Sequence, residues 1–124
     1  MKYKDEIVPR THELSMRMLE LYVELIKSGE FELSQRILKH GTSIREHLDE
    51  AIAVDNTNDF LYKISLAYND AVQTRFWIKQ VQMKHFVHTC CDDCVSRINE
   101  LISILAYMGQ SVNGFKINFQ YQLN

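Results

Sequence analysis

The fold is decided by two consecutive stretches, SQRILKHGTSIREHLDEA at residues 34–51 and NTNDFLYKISLAYNDAVQTRFWI at residues 56–78. In both, apolar residues recur at spacings of three and four, which places them on one stripe of a helix. The first stripe consists of Ile37, Gly41, Ile44, Leu48 and Ala51. The second consists of Phe60, Ile64, Ala67, Ala71, Thr74, Ile78 and, just beyond the quoted stretch, Val81. Two such stripes predict two long helices that pack against each other.

The joint between these helices is short and polar. Asn56 precedes Asp59 by three residues, a variant of the capping box in which each side chain binds the other's backbone amide. The second helix is therefore predicted to begin near Thr57. Gly41 lies inside the first helix, where glycine costs about 1 kcal/mol relative to alanine. This favours a close approach of another helix at Gly41 over a merely tolerated glycine.

A polar stripe accompanies each apolar one. Its members are Lys39, Ser43, Glu46 and Glu50 on the first helix and Asp59, Lys63 and Asp70 on the second. Folding the helices back about the middle of the joint sets Lys39 opposite Asp70 and Glu46 opposite Lys63. We predict that these residues form a network of ion pairs and hydrogen bonds that fixes the register of the two helices.

The same region resembles a known bacterial family. The runs ILKHGTSIREHLDEA, DFLYKISLA and DAVQTRFWI resemble the four-helix-bundle proteins encoded in intervening sequences of large-subunit ribosomal RNA genes, a family labelled ribosomal. The matching positions are Lys39 to Ile44, Glu50, Ala51, Asp59, Phe60, Lys63, Ala71, Thr74 and Trp77. His47 stands where the family has Asn, and Asn69, Asp70 and Gln73 replace its Lys, Glu and Glu.

The resemblance implies a homopentameric ring. It also implies RNA or an RNA-binding protein as a partner, because related accessory variability proteins of retroelements bind a reverse transcriptase and nucleic acid. Those relatives are strongly basic, whereas this chain has a formal net charge of -2 and no global field that would attract phosphates. Any contact with nucleic acid must therefore be local. The candidate residues are Arg36, Lys39, Arg45 and Lys63.

Helical patterning continues on both sides of the central pair. Pro9 suits a first helical turn, so residues 1–8 are expected to fray, and Gly29 suits a left-handed cap. The first helix carries the stripe Leu14, Met18, Leu21 and Leu25, and the last carries Cys91, Cys94, Ile98, Leu101, Leu105 and Met108. Thr89 and Asp92 form another capping box. We therefore predict one all-α domain over residues 1–124, an antiparallel up-and-down bundle with helices at about 9–28, 31–53, 57–83 and 90–108.

Residues 110–124 differ from the rest of the chain. Apolar residues alternate with polar ones at Phe115, Ile117, Phe119, Tyr121 and Leu123, which is the period of a strand. A single strand cannot satisfy its own backbone hydrogen bonds. This C-terminal arm must lie along the bundle, pair with a neighbouring chain or stay loose, and an arm ordered against a neighbour is favoured.

Composition bounds the class of protein. With 46% apolar and 24% charged residues, the chain suits a single globular domain. The N-terminus has no signal-peptide pattern, and no run approaches the ~18 apolar residues of a membrane span. The three cysteines fall within five positions, which is no framework for disulfides. A cytoplasmic protein without membrane contact is expected.

One cluster suggests metal chemistry. His85, His88, Cys90, Cys91 and Cys94 are of the residue types that zinc prefers. However, Cys91 and Cys94 lie on the core stripe, and the spacing lacks two separated ligand pairs. The chain has no inward Glu-x-x-His pairs, no nucleophile elbow around Ser43 and no glycine-rich phosphate loop. We predict no cofactor and no enzymatic activity.

Helix one carries more apolar residues than one stripe requires, and several aromatic residues lie off the core stripes. The candidate interface residues are Tyr22, Tyr62, Phe76 and Trp77. Such residues are typical of an interface with another subunit. Three functions remain open: an oligomeric scaffold or adaptor, an RNA- or ribosome-associated binding protein, and a metalloprotein or enzyme. The first is favoured.

Overall fold

The structure, a computed structural model, describes residues 2–84 and 90–111, with side chains described for residues 5–84 and 91–109. Its elements are α1 (Lys2–Lys27), α2 (Phe31–Ala53), α3 (Thr57–Gln82) and α4 (Cys90–Ser111). Helix α1 packs on α2 and α4, and α3 packs on the same two helices, so the four form a closed square. This confirms the predicted all-α four-helix bundle. The predicted C-terminal arm lies outside the described residues.

The core is formed by the stripes that the sequence predicts. Ile37, Ile44, Leu48 and Ala51 of α2 are buried, and so are the α3 residues that face them, apart from the half-buried Phe60. The stripes of α1 and α4 close the other two sides of the same core. Burial of these side chains is the main term that holds the bundle together, at roughly 25 cal/mol for each Å² of apolar surface removed from water.

Helix α1 begins earlier than the sequence predicts. The expected start at Pro9 is wrong, because the helix already runs from Lys2 and contains Pro9 in its interior. Ile7 explains the difference, because its side chain is only 2% exposed and extends the core stripe by one heptad before Leu14. The Thr11 hydroxyl donates a hydrogen bond of 2.7 Å to the Ile7 carbonyl oxygen. Burial of Ile7 thus outweighs the loss of one amide donor at Pro9.

Two of the predicted caps are present, one with different details. Gly29 has a φ of 79°, and the Glu30 amide donates to the Leu25 carbonyl at 2.9 Å, the bond expected of a left-handed glycine cap. At the start of α3, the Asp59 amide donates to Asn56 Oδ1 at 2.8 Å. The reciprocal bond differs from the prediction, because the Asn56 side-chain amide donates to the Asp59 carboxylate at 2.7 Å.

Helix α4 continues past its predicted end. The predicted end at about residue 108 is wrong, because α4 contains Gly109 and runs to Ser111. Glycine in a helix interior costs only about 1 kcal/mol, and Met108, with 0% exposure, anchors this last turn in the core. The predicted cap at Thr89 lies outside the described residues. Within the described part of the chain, no helix has both the length and the apolar content needed to cross a membrane.

Candidate functional site

The interface between α2 and α3 contains a polar network, but with partners other than those predicted. His47 Nδ1 lies 2.6 Å from Asp70 Oδ2, and His40 Nδ1 lies 3.9 Å from Asp70 Oδ1. The Asp70 side chain is 15% exposed, so two histidines one heptad apart flank a largely buried carboxylate. One turn further along α3, the Thr74 hydroxyl donates to the Asp70 carbonyl at 2.8 Å.

The second interhelical pair joins Lys63 to Glu50, with Nζ and Oε2 3.2 Å apart. The predicted pairs Lys39–Asp70 and Glu46–Lys63 are therefore wrong. The partner of Lys63 on α2 lies one turn nearer the joint than expected. Side chains of a helix tilt toward its N-terminus. In two antiparallel helices, the side chains that touch therefore belong to residues further along each helix than those whose Cα atoms lie opposite each other. Pairing residues by their distance from the centre of the joint omits this displacement.

The remaining members of the predicted network act locally. The Ser43 hydroxyl donates to the Lys39 carbonyl of its own helix at 3.0 Å. The side chains of Lys39 and Glu46 are exposed, and Asp59 serves the α3 cap. The α2–α3 polar network therefore consists of His40, His47, Glu50, Lys63 and Asp70.

The four candidate nucleic-acid contacts do not form a basic patch. Arg36 binds Glu32 at 3.0 Å and stacks over the Trp77 ring at 4.6 Å. Arg45 lies 3.7 Å from Asp49, and Lys63 is engaged with Glu50. Among the four, Lys39 stands out as an exposed cation without a carboxylate contact in the described structure. Carboxylates beside these cations reduce the local potential that a phosphate would meet.

The predicted interface aromatics are distributed over two faces. On α3, Tyr62 is 58% exposed and Phe76 is 47% exposed. Trp77 is half-buried against the core, where Phe76 meets it edge to face with ring centroids 5.0 Å apart. Tyr22 is half-buried on α1. The rings of Tyr62 and Phe76 are therefore available to a partner, whereas Trp77 belongs partly to the fold.

A larger apolar surface lies along α1 and α2. Its exposed side chains are Val8, Met16, Leu19 and Val23 of α1 and Phe31 and Leu38 of α2. Between the two helices lies a groove of about 380 Å³, here named the α1–α2 groove. Its lining residues are His12, Ser15, Met16, Met18, Leu19, Ile37, Leu38, Gly41, Thr42 and Arg45. Most of this lining is apolar.

Gly41 shapes the floor of the α1–α2 groove. A Cβ atom at this position would overlap the Met18 Cε methyl and lie 3.3 Å from Met18 Sδ. The predicted close approach at Gly41 is thus present, and it is made by the tip of a flexible side chain of α1. Methionine adapts to irregular surfaces, so the groove floor can change shape at low cost.

The candidate metal ligands are not assembled in the described structure. Cys91 and Cys94 are buried in the core at 1% and 0% exposure, where their thiols pack as small apolar groups. His85 and His88 lie outside the described residues, as does the Cys90 side chain. Within the ranges that the structure describes, no group of three or more ligand-type side chains is arranged so that it could hold a metal ion.

The interface between α1 and α4 contains an ion-pair ladder that sequence reasoning missed. Arg10 binds Glu100, Arg17 Nε lies 3.2 Å from Asp93 Oδ2, and Arg97 contacts Glu13 at 4.0 Å. These six residues recur at spacings of three and four with alternating charge on both helices. That pattern could have identified the ladder. The hydrogen bond to Asp93 raises the pKa of the Arg97 guanidinium.

One buried ionisable group lies on α3. Tyr68 is 2% exposed, and burial raises the pKa of its phenol, an effect that the positive charge of Arg75 partly opposes. Arg75 itself donates to Asn99 Oδ1 of α4 at 2.9 Å. Tyr68 therefore favours its neutral form inside the bundle.

Comparison with known proteins supports the architecture. The fold is similar to that of a protein with unknown function from the S23 ribosomal protein family of Bacteroides thetaiotaomicron VPI-5482. The superposition covers 82% of this chain and 96% of that chain, with a TM-score of 0.76 and 23% sequence identity. No protein-family model and no curated protein matches the chain. At this identity the likeness establishes the shared fold, and the neighbour's ribosomal label agrees with the resemblance noted in the sequence.

Proposed function

We propose that the protein is a non-enzymatic, cytoplasmic scaffold or adaptor that associates with further copies of itself through the apolar surface of α1 and α2. The observation that carries the proposal is the set of exposed apolar side chains along these helices, above all Met16, Leu19 and Leu38 around the α1–α2 groove. Contiguous apolar surface on a soluble protein typically marks an interaction site.

The charges around this surface favour a protein partner. Near the groove, Arg45 Nε lies 3.7 Å from the Asp49 carboxylate, so these two charges oppose each other and the rim there is polar with little net charge. An apolar centre with a polar rim is the usual anatomy of a protein–protein interface. A five-subunit ring is the assembly implied by the family resemblance, and we adopt it as the expected stoichiometry.

Light scattering coupled to size-exclusion chromatography tests the proposal. The native chain is expected to show a mass above one subunit that rises with concentration toward five subunits. Leu19→Glu places a charge at the centre of the apolar surface and should shift the equilibrium to the monomer. Met83→Glu is the matched control, since Met83 is 75% exposed at the end of α3. A native chain that stays monomeric at every concentration would disprove self-association.

The alternative is an RNA- or ribosome-associated binding protein. It rests on the resemblance, on the ribosomal label of the structural neighbour and on the exposed cation Lys39. The carboxylate partners of Arg36, Arg45 and Lys63 speak against a strong phosphate site. RNA affinity that falls steeply with salt and decreases in Lys39→Ala would favour this alternative. Co-purified nucleic acid would appear in the absorbance ratio of the same chromatographic peak.

A further inference from the structure

The α1–α2 groove has a shape and chemistry that suit an extended apolar segment. It is about 380 Å³ in volume, its walls carry the exposed side chains of Met16, Leu19 and Leu38, and its floor at Met18 and Gly41 is adaptable. Leaving such a surface in water is unfavourable by roughly 25 cal/mol for each Å². A segment that presents two or three apolar side chains on one edge would cover it.

The chain itself contains such a segment beyond α4. In residues 115–123 the apolar side chains alternate with Lys116, Asn118, Gln120 and Gln122. An extended conformation directs alternate side chains to opposite edges, so one edge would be apolar and the other polar. Docked in a surface groove, the segment would bury the first edge and keep the second in water.

The point of attachment places this segment within reach. The pairs Arg10–Glu100 and Arg17–Asp93 show that α4 runs antiparallel to α1, so Ser111 lies at the end of the bundle where α1 begins. The groove starts near His12, about 15 Å along the α1 axis from Lys2 at 1.5 Å per residue. Passing around α1 adds a lateral distance of about 15 Å, given helix diameters of 10–12 Å.

Residues 112–124 are long enough for this path. Fully extended, they span up to about 45 Å, against a combined displacement of about 20–25 Å from the axial and lateral steps. Asn113 and Gly114 form a dipeptide that marks turns, which suits a reversal of direction directly after α4. The first half of the segment would cross the end of the bundle, and Phe119, Tyr121 and Leu123 would reach the groove.

We infer that the segment around Phe119, Tyr121 and Leu123 docks into the α1–α2 groove of its own chain and competes there with a second copy of the protein. This differs from the neighbour-bound arm favoured on sequence pattern. A tethered segment that can reach its site has an effective concentration in the millimolar range, well above micromolar protein. The docking of the segment is independent of the proposed function, and only its competition with a second copy rests on that function.

Photo-crosslinking in the full chain tests the docking. Phe119→benzoylphenylalanine preserves an aromatic side chain and reacts readily with methionine. Irradiation is expected to join position 119 to the α1 peptide that contains Met16 and Met18, within one chain and independently of concentration. Gln120→benzoylphenylalanine, on the opposite edge, is the matched control and should give at least about fivefold less of this product. Crosslinks that map to α3 or α4, or that join two chains, would overturn the docking.

Light scattering on the full chain tests the competition. Phe119→Glu should release the segment and lower the concentration for half-assembly by about tenfold, the factor expected if the arm occupies nine grooves in ten. Lys116→Glu changes the polar edge and should leave this concentration unchanged. An unchanged assembly curve for Phe119→Glu would overturn the competition.

The two proposals fail in different ways. If position 119 crosslinks to Met16 or Met18 while every variant stays monomeric, the self-association proposal is wrong and the intrachain docking stands. If the native chain assembles and Leu19→Glu prevents it, but position 119 crosslinks elsewhere, self-association stands and the docking is wrong.

Discussion

The two sides of α2 are built in opposite ways. Toward α3, the helix presents the α2–α3 polar network above a tightly packed core, with Asp70 held between His40 and His47. Toward α1, it presents the α1–α2 groove, which is lined by the exposed Leu38 and has Gly41 and Met18 at its floor. The polar groups of the first side are paired with each other, whereas the second side exposes apolar side chains in the part of the chain that the structure describes. In this bundle, polar pairing therefore marks the closed interface, and exposed apolar side chains mark the open one.

The largest predicted effect is a difference in the free energy of unfolding between truncating a buried and an exposed residue of α2. Ile44 is 1% exposed and Leu38 is 40% exposed. Ile44→Ala should lower the free energy of unfolding by about 2–4 kcal/mol, because it removes buried atoms and leaves a cavity. Leu38→Ala should lower it by no more than about 1 kcal/mol, since a segment docked in about nine grooves in ten stabilises the folded chain by only about 1.4 kcal/mol in all. Urea unfolding followed by circular dichroism measures both. A cost for Leu38→Ala equal to that of Ile44→Ala would contradict the prediction, because it would show that Leu38 is packed like a core residue.

A smaller effect is expected from the polar network. Asp70→Asn keeps the shape of the side chain and removes the charge that contacts His47 at 2.6 Å. It should cost about 1–2 kcal/mol at neutral pH, in the range of hydrogen bonds to charged groups. Asp49→Asn removes an exposed pair with Arg45 and should cost less than about 0.5 kcal/mol. Equal costs for the two variants would contradict a special role of the α2–α3 interface.

Most of the fold could be predicted from the sequence because helical period and burial coincide. The stripes of α2 and α4 are the buried faces, since no competing pattern occurs there. The start of α1 could not be predicted from Pro9, because one proline signal competes with the burial of Ile7, which becomes visible only when the bundle is assembled. Tertiary packing decided that boundary.

The site was less predictable for geometrical reasons. Sequence identified Asp70, Glu50 and Lys63 as network members, and all three take part in interhelical contacts. Their partners depend on side-chain tilt and length, which a residue-by-residue alignment of two helices omits. His47 was noted as a departure from the family pattern and not as a partner. Its position one heptad from His40 was the available signal.

A third prediction uses pH to compare buried and exposed tyrosines. Burial raises the pKa of Tyr68 above its ordinary value near 10. Between that value and the higher folded pKa, the unfolded chain loses its phenolic proton first. The contribution of the Tyr68 phenol to the free energy of unfolding is therefore complete below pH 10 and is lost as the pH rises through the folded-state pKa. Tyr68→Phe should flatten the alkaline fall in the free energy of unfolding, and Tyr62→Phe, at an exposed position, serves as the control for removing a phenol.

The smallest predicted effect concerns the floor of the groove. Gly41→Ala gains about 1 kcal/mol of helix propensity, but the new methyl group displaces the Met18 Cε methyl. Because that methyl ends a flexible side chain, its displacement should cost about as much as the propensity gains, for a net change within about 0.5 kcal/mol. Thermal unfolding of Gly41→Ala, Met18→Ala and Gly41→Ala/Met18→Ala separates the two terms in a double-mutant cycle, since Met18 is a core residue whose truncation has a cost of its own. A loss above about 2 kcal/mol for the single variant would mean that Met18 cannot move, and hence that the groove floor is as rigidly packed as the α2–α3 interface.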